Sequence, residues 1–502
     1  MTTQFLLLPA FLLLNASLAA QGTPDLPPAP ADPAIALAIA KISPDQIHAD
    51  IEKLVSFRNR STLSSMDTDL SAGTGVNAAA DWIFAEFTRI SDDCGHCLEV
   101  KRDDYVEPGT PKTRILQDTR LQNIYAVLKG SDPAQAKRHV LVTGHYDSRN
   151  SDNFNTHDPA PGANDDASGV AVSLESARVL SKLKFPSTIV FVAVAGEEQG
   201  LYGSRHLARL ARAEKWNLEA VLNNDIVGGD TTPGQTGADK TSVRIFSEGV
   251  PAPATQDEIK MIQTLGAESD SPSRELARAI LDVDQTYFKA HTVFPTSRPT
   301  SRPTSNSNQA HSQMLRYEPG FHPVLIFRRD RFLRGGDHTS FNAEGFAAVR
   351  FTEWQENFDH QHQTPRVENG ILQNGTTGPI QYGDFLQFVD FDYVANVARL
   401  NSAALATFAS APGEPKGVHV LTTALDNNTE LTWQAPAGAP AGTTYEVLMR
   451  PTDAPSWTTL KSAGTALLIK LPISKDNVVF GVRSSDPAGH KSPAVYPVPQ
   501  NL

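Results

Sequence analysis

Apolar side chains recur three and four residues apart at Ile47, Ile51, Leu54 and Val55, which predicts a helix over 45–57. The same period at Ala80, Ile83, Phe84 and Phe87 predicts a second helix over 76–90. Beyond them the chain alternates between short apolar runs and helical periods. Strands are predicted over 123–128, 139–143, 188–193 and 219–223, with helices over 168–183 and 203–214 between them. Runs such as HVLVT and TIVFVAVA are almost continuously apolar, as expected of strands covered by helices on both faces. The fold class is therefore α/β, a mostly parallel mixed sheet flanked by helices. In such sheets, sites form outside the carboxyl ends of the strands. Regular patterning resumes at 324–327 and 347–351 and closes with a helical run over 391–408, so this domain is expected to span residues 45–410. Short alternating strands at 418–422, 430–433, 445–450, 467–471 and 478–484 then predict a small all-β sandwich over 411–502.

Other stretches fit neither domain. Residues 21–44 are Pro- and Ala-rich and read as a linker or pro-segment. Ahead of them the run Phe5 to Leu14, followed by small residues, fits a signal peptide over 1–20 with cleavage near Ala19 or Ala20. The mature chain is thus expected to be secreted or periplasmic. No later apolar run approaches the roughly 20 residues a membrane-spanning helix needs. Between Pro295 and Asn308 a tandem SRPT repeat is too polar and Pro-rich to pack, and an exposed loop is expected there. The wider segment 226–337 carries no assignable motif.

Charge and cysteine content narrow the partners. With 44 Lys and Arg against 56 Asp and Glu, the formal charge is −12, which opposes capture of nucleic acid or anionic lipid. Two cysteines, Cys94 and Cys97, lie in SDDCGHC with no second pair to complete a zinc ribbon. In an exported chain a disulfide pinning a short loop is expected.

Five short strings at predicted strand ends or in loops concentrate acids and imidazoles. In LVTGHYDS a strand runs into His145, which can offer one ring nitrogen to a metal while Asp147 accepts the other N–H. In PGANDDASGV, Asp165 and Asp166 open a helix. Helix capping is the plain reading, but the two oxygens of one carboxylate can also bridge two cations. Glu197 and Glu198 directly follow an apolar strand, where like charges repel unless cations relieve them, and one of the two is placed to take a proton from a bound water. Asp225 closes another strand, and FDHQHQTP supplies His360 and His362. Convergence of these groups on one edge of the sheet points to a metal site.

The ordered series HYDS, GANDDASG, GEEQGLYGS, NNDIVG, DHTSF and DHQHQ resembles the M28 family of zinc peptidases over roughly residues 49–408. The resemblance implies a secreted aminopeptidase acting on peptide or protein N-termini. His145, Asp165 and Asp225 would hold one Zn²⁺, and Asp165, Glu198 and His360 a second. Glu197 would serve as general base and Asp147 would orient His145, and the Asp165–Asp166 peptide would be cis. The same ligand chemistry admits Co²⁺ or Mn²⁺. Relatives carry an acid four residues after the late histidine where this chain has Thr364, so His362 and His338 stand as alternatives to His360. A single-zinc glutaminyl cyclase, a carboxypeptidase and a non-catalytic binding protein are the competing functions. The tail, with Trp433 and Tyr445 in consecutive strands, resembles a fibronectin type III sandwich, a module expected to contact a substrate polymer or cell surface.

Overall fold

The computed structural model describes residues 26–232, 239–288, 320–372, 375–423 and 426–500. The expected signal peptide and the SRPT repeat lie outside the described residues. Helices α1 (Pro33–Ile39), α2 (Pro44–Ser56) and α3 (Gly75–Asp93) come first, followed by strands β1 (Leu98–Glu107), β2 (Thr119–Leu128) and β3 (Arg138–His145). Then follow α4 (Ser168–Leu180), β4 (Thr188–Val194), α5 (Glu197–Gly200), α6 (Tyr202–Ala213), β5 (Asn217–Asn224) and β6 (Ser242–Ser247). The domain continues with α7 (Gln256–Leu265), α8 (Pro272–Tyr287), β7 (His322–Ile326), α9 (His338–Ala343) and β8 (Ala348–Glu353). A hairpin, β9 (Arg366–Ile371) and β10 (Thr377–Tyr382), precedes the long α10 (Phe391–Ser410).

Eight strands form one mixed sheet in the order β1-β2-β4-β3-β5-β8-β6-β7. Its centre, β4-β3-β5-β8, is parallel, so these four strands end on one edge. Antiparallel β1 and β2 flank it on one side, and β6, antiparallel to β8, flanks it on the other. One face packs a large apolar core against α2, α3, α4, α8 and α10, and the other buries Leu141, Val190, Val192 and Val221 with Leu207, Ala208 and Phe341 of α6 and α9. Burial on both faces explains the unbroken apolar runs of β3 and β4. Close approach of β3 to the start of α4 depends on glycine: a Cβ on Gly144 would stand 2.4 Å from the backbone carbon of Gly169.

The Pro/Ala-rich stretch is not a free linker in its described part. Asp32 caps α1 by accepting from Ala34 N–H at 2.7 Å, and Ile35 and Ile39 are buried in the main core. Leu26 is buried with Leu448, Trp457 and Ala494 of the tail. Of the elements that the apolar pattern does not predict, two show the physical reason. Strand β1 (LEVKRDDYVE) is an edge strand with mostly exposed or half-exposed positions, so no apolar run marks it. Helix α8 buries Glu275, Arg278 and Asp284 beside its leucine and isoleucine, which blurs its amphipathic period.

The tail forms two sheets: β11 (Lys416–Val420), β12 (Thr429–Gln434), β15 (Leu468–Leu471) and β17 (Val498–Pro499) in one, and β13 (Thr444–Pro451), β14 (Thr459–Gly464) and β16 (Val478–Ser485) in the other. Trp433 and Tyr445, 5.7 Å apart between ring centroids, sit in the core with Leu431, Val447 and Val482. Cys94 and Cys97 are joined in a disulfide at the end of α3. No described helix is long and apolar enough to cross a membrane.

Candidate metal centre

The parallel strands deliver their chemistry at a single edge. His145 is the last residue of β3, Glu197 and Glu198 follow β4 through Gly196, and Asp225 follows β5. Asp165 and Asp166, joined by a cis peptide, stand in the turn that opens α4. Asp166 does not point at the other acids' focus. Its Oδ2 accepts from His145 N–H at 2.9 Å, and its Oδ1 accepts from Gly169 and Ile226 N–H at 3.0 and 3.2 Å, stitching β3, α4 and the end of β5 together.

Asp165 lies between two histidines. Its Oδ1 is 3.1 Å from His145 Nε2, and its Oδ2 is 2.9 Å from His362 Nε2. His145, Asp165 and Asp225 form one cluster of converging ligand atoms, and Asp165, Glu198 and His362 form a second. His362 Nε2 is 3.0 Å from Glu198 Oε1, yet that buried oxygen makes no hydrogen bond. Of the other carboxylate oxygens in the two clusters, Asp225 Oδ2 is in the same state. Atoms that approach closely without bonding one another face a common point, as ligand atoms around a cation do, and desolvated carboxylate oxygens are costly without a partner. Imidazole and carboxylate donors suit zinc. The residues present therefore fit the metal.

Around this core each acid is held by identifiable partners. Asp147, wholly buried, accepts from the N–H groups of Glu197 and Glu198, both at 3.2 Å, while its backbone carbonyl is 3.1 Å from His145 Nδ1. Asp384 accepts from the N–H groups of Asn164 and Asp165, the latter at 2.7 Å, and fixes the backbone that carries the Asp165 carboxylate. Arg350, wholly buried on β8, holds Asp225 Oδ1 at 2.8 Å and leaves Oδ2 free. Arg149 donates from Nε to Glu198 Oε2 at 2.8 Å. Arg60, also wholly buried, donates to the carbonyls of Leu54, Tyr146, Pro161 and Gly162, and so ties the end of β3 to the loop before Asp165.

Charges crowded out of water shift one another. Burial pushes the Glu197 carboxyl well above the usual range, with Asp225 and Glu198 adding to it and His145 opposing. Burial acts on Asp165 as well, but the two imidazoles beside it hold it well below the usual range. His362 shows the counterpart: burial lowers it, but Glu198 and Asp165 outweigh that and raise it to about 10. Burial pushes Asp337, in DHTSF, up to about 7.

The placement of the expected residues is uneven. His145, Asp165, Glu198 and Asp225 are brought together, with Glu197 and Asp147 beside them. His360, expected as the fifth ligand, is in neither cluster. Its Nδ1 lies 2.5 Å from Asp230 Oδ2 and its ring stacks on Phe388 at 3.8 Å. The intervening turn, in which His360 and Gln361 N–H both donate to Asn357 O, reverses the chain, and His362 enters the left-handed region at φ 59° and aims inward. His338 Nε2 donates to the Arg329 carbonyl at 2.7 Å, and burial lowers its pKa to about 4. The sequence reading missed Arg350, Arg149, Arg60 and Asp384. Arg350 alone left a signal, a charge in the middle of the apolar strand AVRFTE.

A sheet whose parallel central strands gather histidines and carboxylates at one edge is an arrangement suited to a metal-dependent enzyme. Residues 123–271 match the family model described as Peptidase family M28. The chain is 41% identical over 473 residues to a probable zinc metalloprotease of Leptosphaeria maculans, covering 94% of this chain and 98% of that one. It is likewise 41% identical over 468 residues to a probable zinc metalloprotease of Pyricularia oryzae, covering 92% of this chain and 84% of that one. The Legionella pneumophila LapA aminopeptidase structure superposes with a TM-score of 0.46 at 17% identity, covering 75% of this chain and 74% of that one. The chain belongs to peptidase family M28 and is an enzyme of the hydrolase class.

Proposed function

We propose that this protein is an exported, two-zinc aminopeptidase. The observation that carries the reading is the Asp165 carboxylate, whose two oxygens face two different imidazoles at 3.1 and 2.9 Å. His145, Asp165 and Asp225 would hold one Zn²⁺, and Asp165, Glu198 and His362 the other. Bound there, the pair would polarise a peptide carbonyl and lower the pKa of a water between them.

This chain's own residues do the rest. Glu197 has a raised affinity for a proton and, unlike Glu198, keeps partial exposure. It takes the proton from the attacking water and passes it to the leaving amine. Asp147 fixes the Glu197–Glu198 backbone through both of its oxygens and keeps the base aimed at the reacting atoms. Arg350 and Asp384 keep Asp225 and Asp165 from turning away. The likeness of the tail to fibronectin type III modules and the export signal belong to the same reading, that of an extracellular peptidase carrying an accessory sandwich.

The test is hydrolysis of leucyl-anilide and of a free-amine peptide, with metal content measured alongside. Activity lost to chelator and restored by zinc at two ions per chain supports the proposal. Chelator-resistant cleavage, or conversion of an N-terminal glutamine peptide to its cyclised product without hydrolysis, refutes it.

A further inference from the structure

Among the described residues, only three phenylalanines are at least half exposed: Phe154 at 50%, Phe332 at 74% and Phe358 at 64%. Each lies in a loop that also supplies the metal centre or its supports. Phe154 follows Arg149, Phe332 stands between Asp330 and Asp337, and Phe358 precedes His362 by four residues. Beside Phe332, Leu333 is 94% exposed and held in the left-handed region at φ 56°, a conformation leucine rarely adopts.

The Phe332 loop is not loose. Arg331 and Arg334 both bind Glu356, at 2.9 and 2.7 Å, and Arg334 also lies over the Phe358 ring at 5.7 Å. Arg350, which grips Asp225, donates to the Gly335 carbonyl at 3.2 Å, so the base of the loop is continuous with the metal centre. A rigid support therefore presents an apolar tip to water, where each large side chain forgoes the stabilisation of burial. Charge singles out the same rim. In a chain of net charge −12, Arg328 and Arg329 are exposed, Arg329 acts only at longer range on Glu248, and Arg328 stands 5.4 Å over the Phe332 ring.

Resting on the aminopeptidase reading, we infer that this rim is a binding site for the substrate's own chain beyond the scissile bond, selecting segments that carry apolar and acidic side chains. A free amino terminus enters the metal centre and the remainder of the peptide must leave across its mouth. The exposed aromatic groups cover the apolar residues of that segment, and Arg328 and Arg329 meet its carboxylates.

The experiment compares leucyl-anilide, which has no chain beyond the scissile bond, with two leucine-led octapeptides. One carries Phe, Asp and Glu downstream and the other Ser and Lys. The enzyme variants are Phe332→Ser/Leu333→Ser and Arg328→Ser/Arg329→Ser, both in exposed positions. Wild-type protein is expected to prefer the acidic, apolar octapeptide about tenfold in kcat/KM, corresponding to about 1.4 kcal/mol, through KM. Both variants should reduce that preference to within about twofold while leaving the anilide rate within about twofold of wild type. Absence of a preference in wild type, or its persistence in both variants, overturns the inference. If wild-type protein cleaves none of the three, the aminopeptidase reading falls instead. Fluorescence anisotropy of the acidic octapeptide labelled at its carboxyl end then decides the rim separately: weaker binding by the variants supports it, and equal binding overturns it.

Discussion

Two of the clusters of buried ionisable groups among the described residues are built on opposite plans. Between α8 and the sandwich, Asp270, Glu275, Asp282 and Glu446 meet Arg278, Arg450, Arg483 and Lys491. Arg450 binds Asp270 at 2.6 Å, Arg483 binds Asp282 and Glu446 at 2.5 and 2.8 Å, and Arg278 pairs with Glu275. Trp457 completes the seam by donating to Glu275 at 3.0 Å. Here acids and bases balance. At the sheet edge they do not: Asp147, Asp165, Asp166, Glu197, Glu198, Asp225 and Asp337 outnumber Arg60, Arg149 and Arg350 with the two imidazoles. Burial of charge alone thus says little about function. A neutral cluster is a joint, whereas an acid surplus with oxygens facing a common point is a place for cations.

The sharpest test of this contrast is Glu197→Gln, which should lower kcat by about 10²–10⁴-fold while zinc content stays at the wild-type level. Parallel loss of metal would place Glu197 among the ligands and blur the distinction between holding a cation and using it. At the seam, Arg278→Met leaves buried Glu275 with Trp457 as its remaining donor while Asp270 keeps Arg450, an expected loss of about 3 kcal/mol measured by denaturant unfolding. The anilide rate per folded molecule should not change. If it collapses, the seam is coupled to the centre and is not merely a joint.

A paired substitution separates the two histidines. His362→Ala should reduce bound zinc from two ions to one, whereas His360→Ala should keep both ions and lose only the Asp230 contact and the Phe388 stack, about 1–3 kcal/mol of stability. The smallest effect concerns pH. Burial raises Asp337 to about 7 and Asp384 to about 6. A carboxyl raised in the folded state stabilises that state below its ordinary value near 4, and the contribution is lost as pH rises through 6–7. Chelated protein should therefore melt lower at pH 8 than at pH 5. Zinc-loaded protein, with cations in place of protons, should lose less, so the gap between the two melting temperatures widens with pH.

How legible the site was depends on which residues stand on regular elements. His145, Glu197, Glu198 and Asp225 could be placed from the sequence because a parallel strand's end is predictable from its apolar run, and parallel neighbours end together. The late histidine could not. His360 and His362 occupy a turn where two residues of separation reverse a side chain's direction, and that reversal rests on the φ of His362, which no periodicity encodes. Arg60 and Asp384 act through carbonyl and N–H groups of distant segments, contacts that exist only after folding. The sandwich could be read as a domain, yet its attachment could not, because α8 meets it with charged residues that look like a solvated face until their partners are seen.

The strap formed by residues 26–39 has a consequence for biosynthesis. Asp32 bonds His490 Nε2 at 3.1 Å, across 458 positions of sequence, and Leu26 lodges among side chains of the sandwich. At about 5–20 residues per second, translation separates the appearance of these partners by roughly 20 to 90 seconds. The strap is therefore synthesised well before the sandwich residues that hold it, and it waits for them before it can dock.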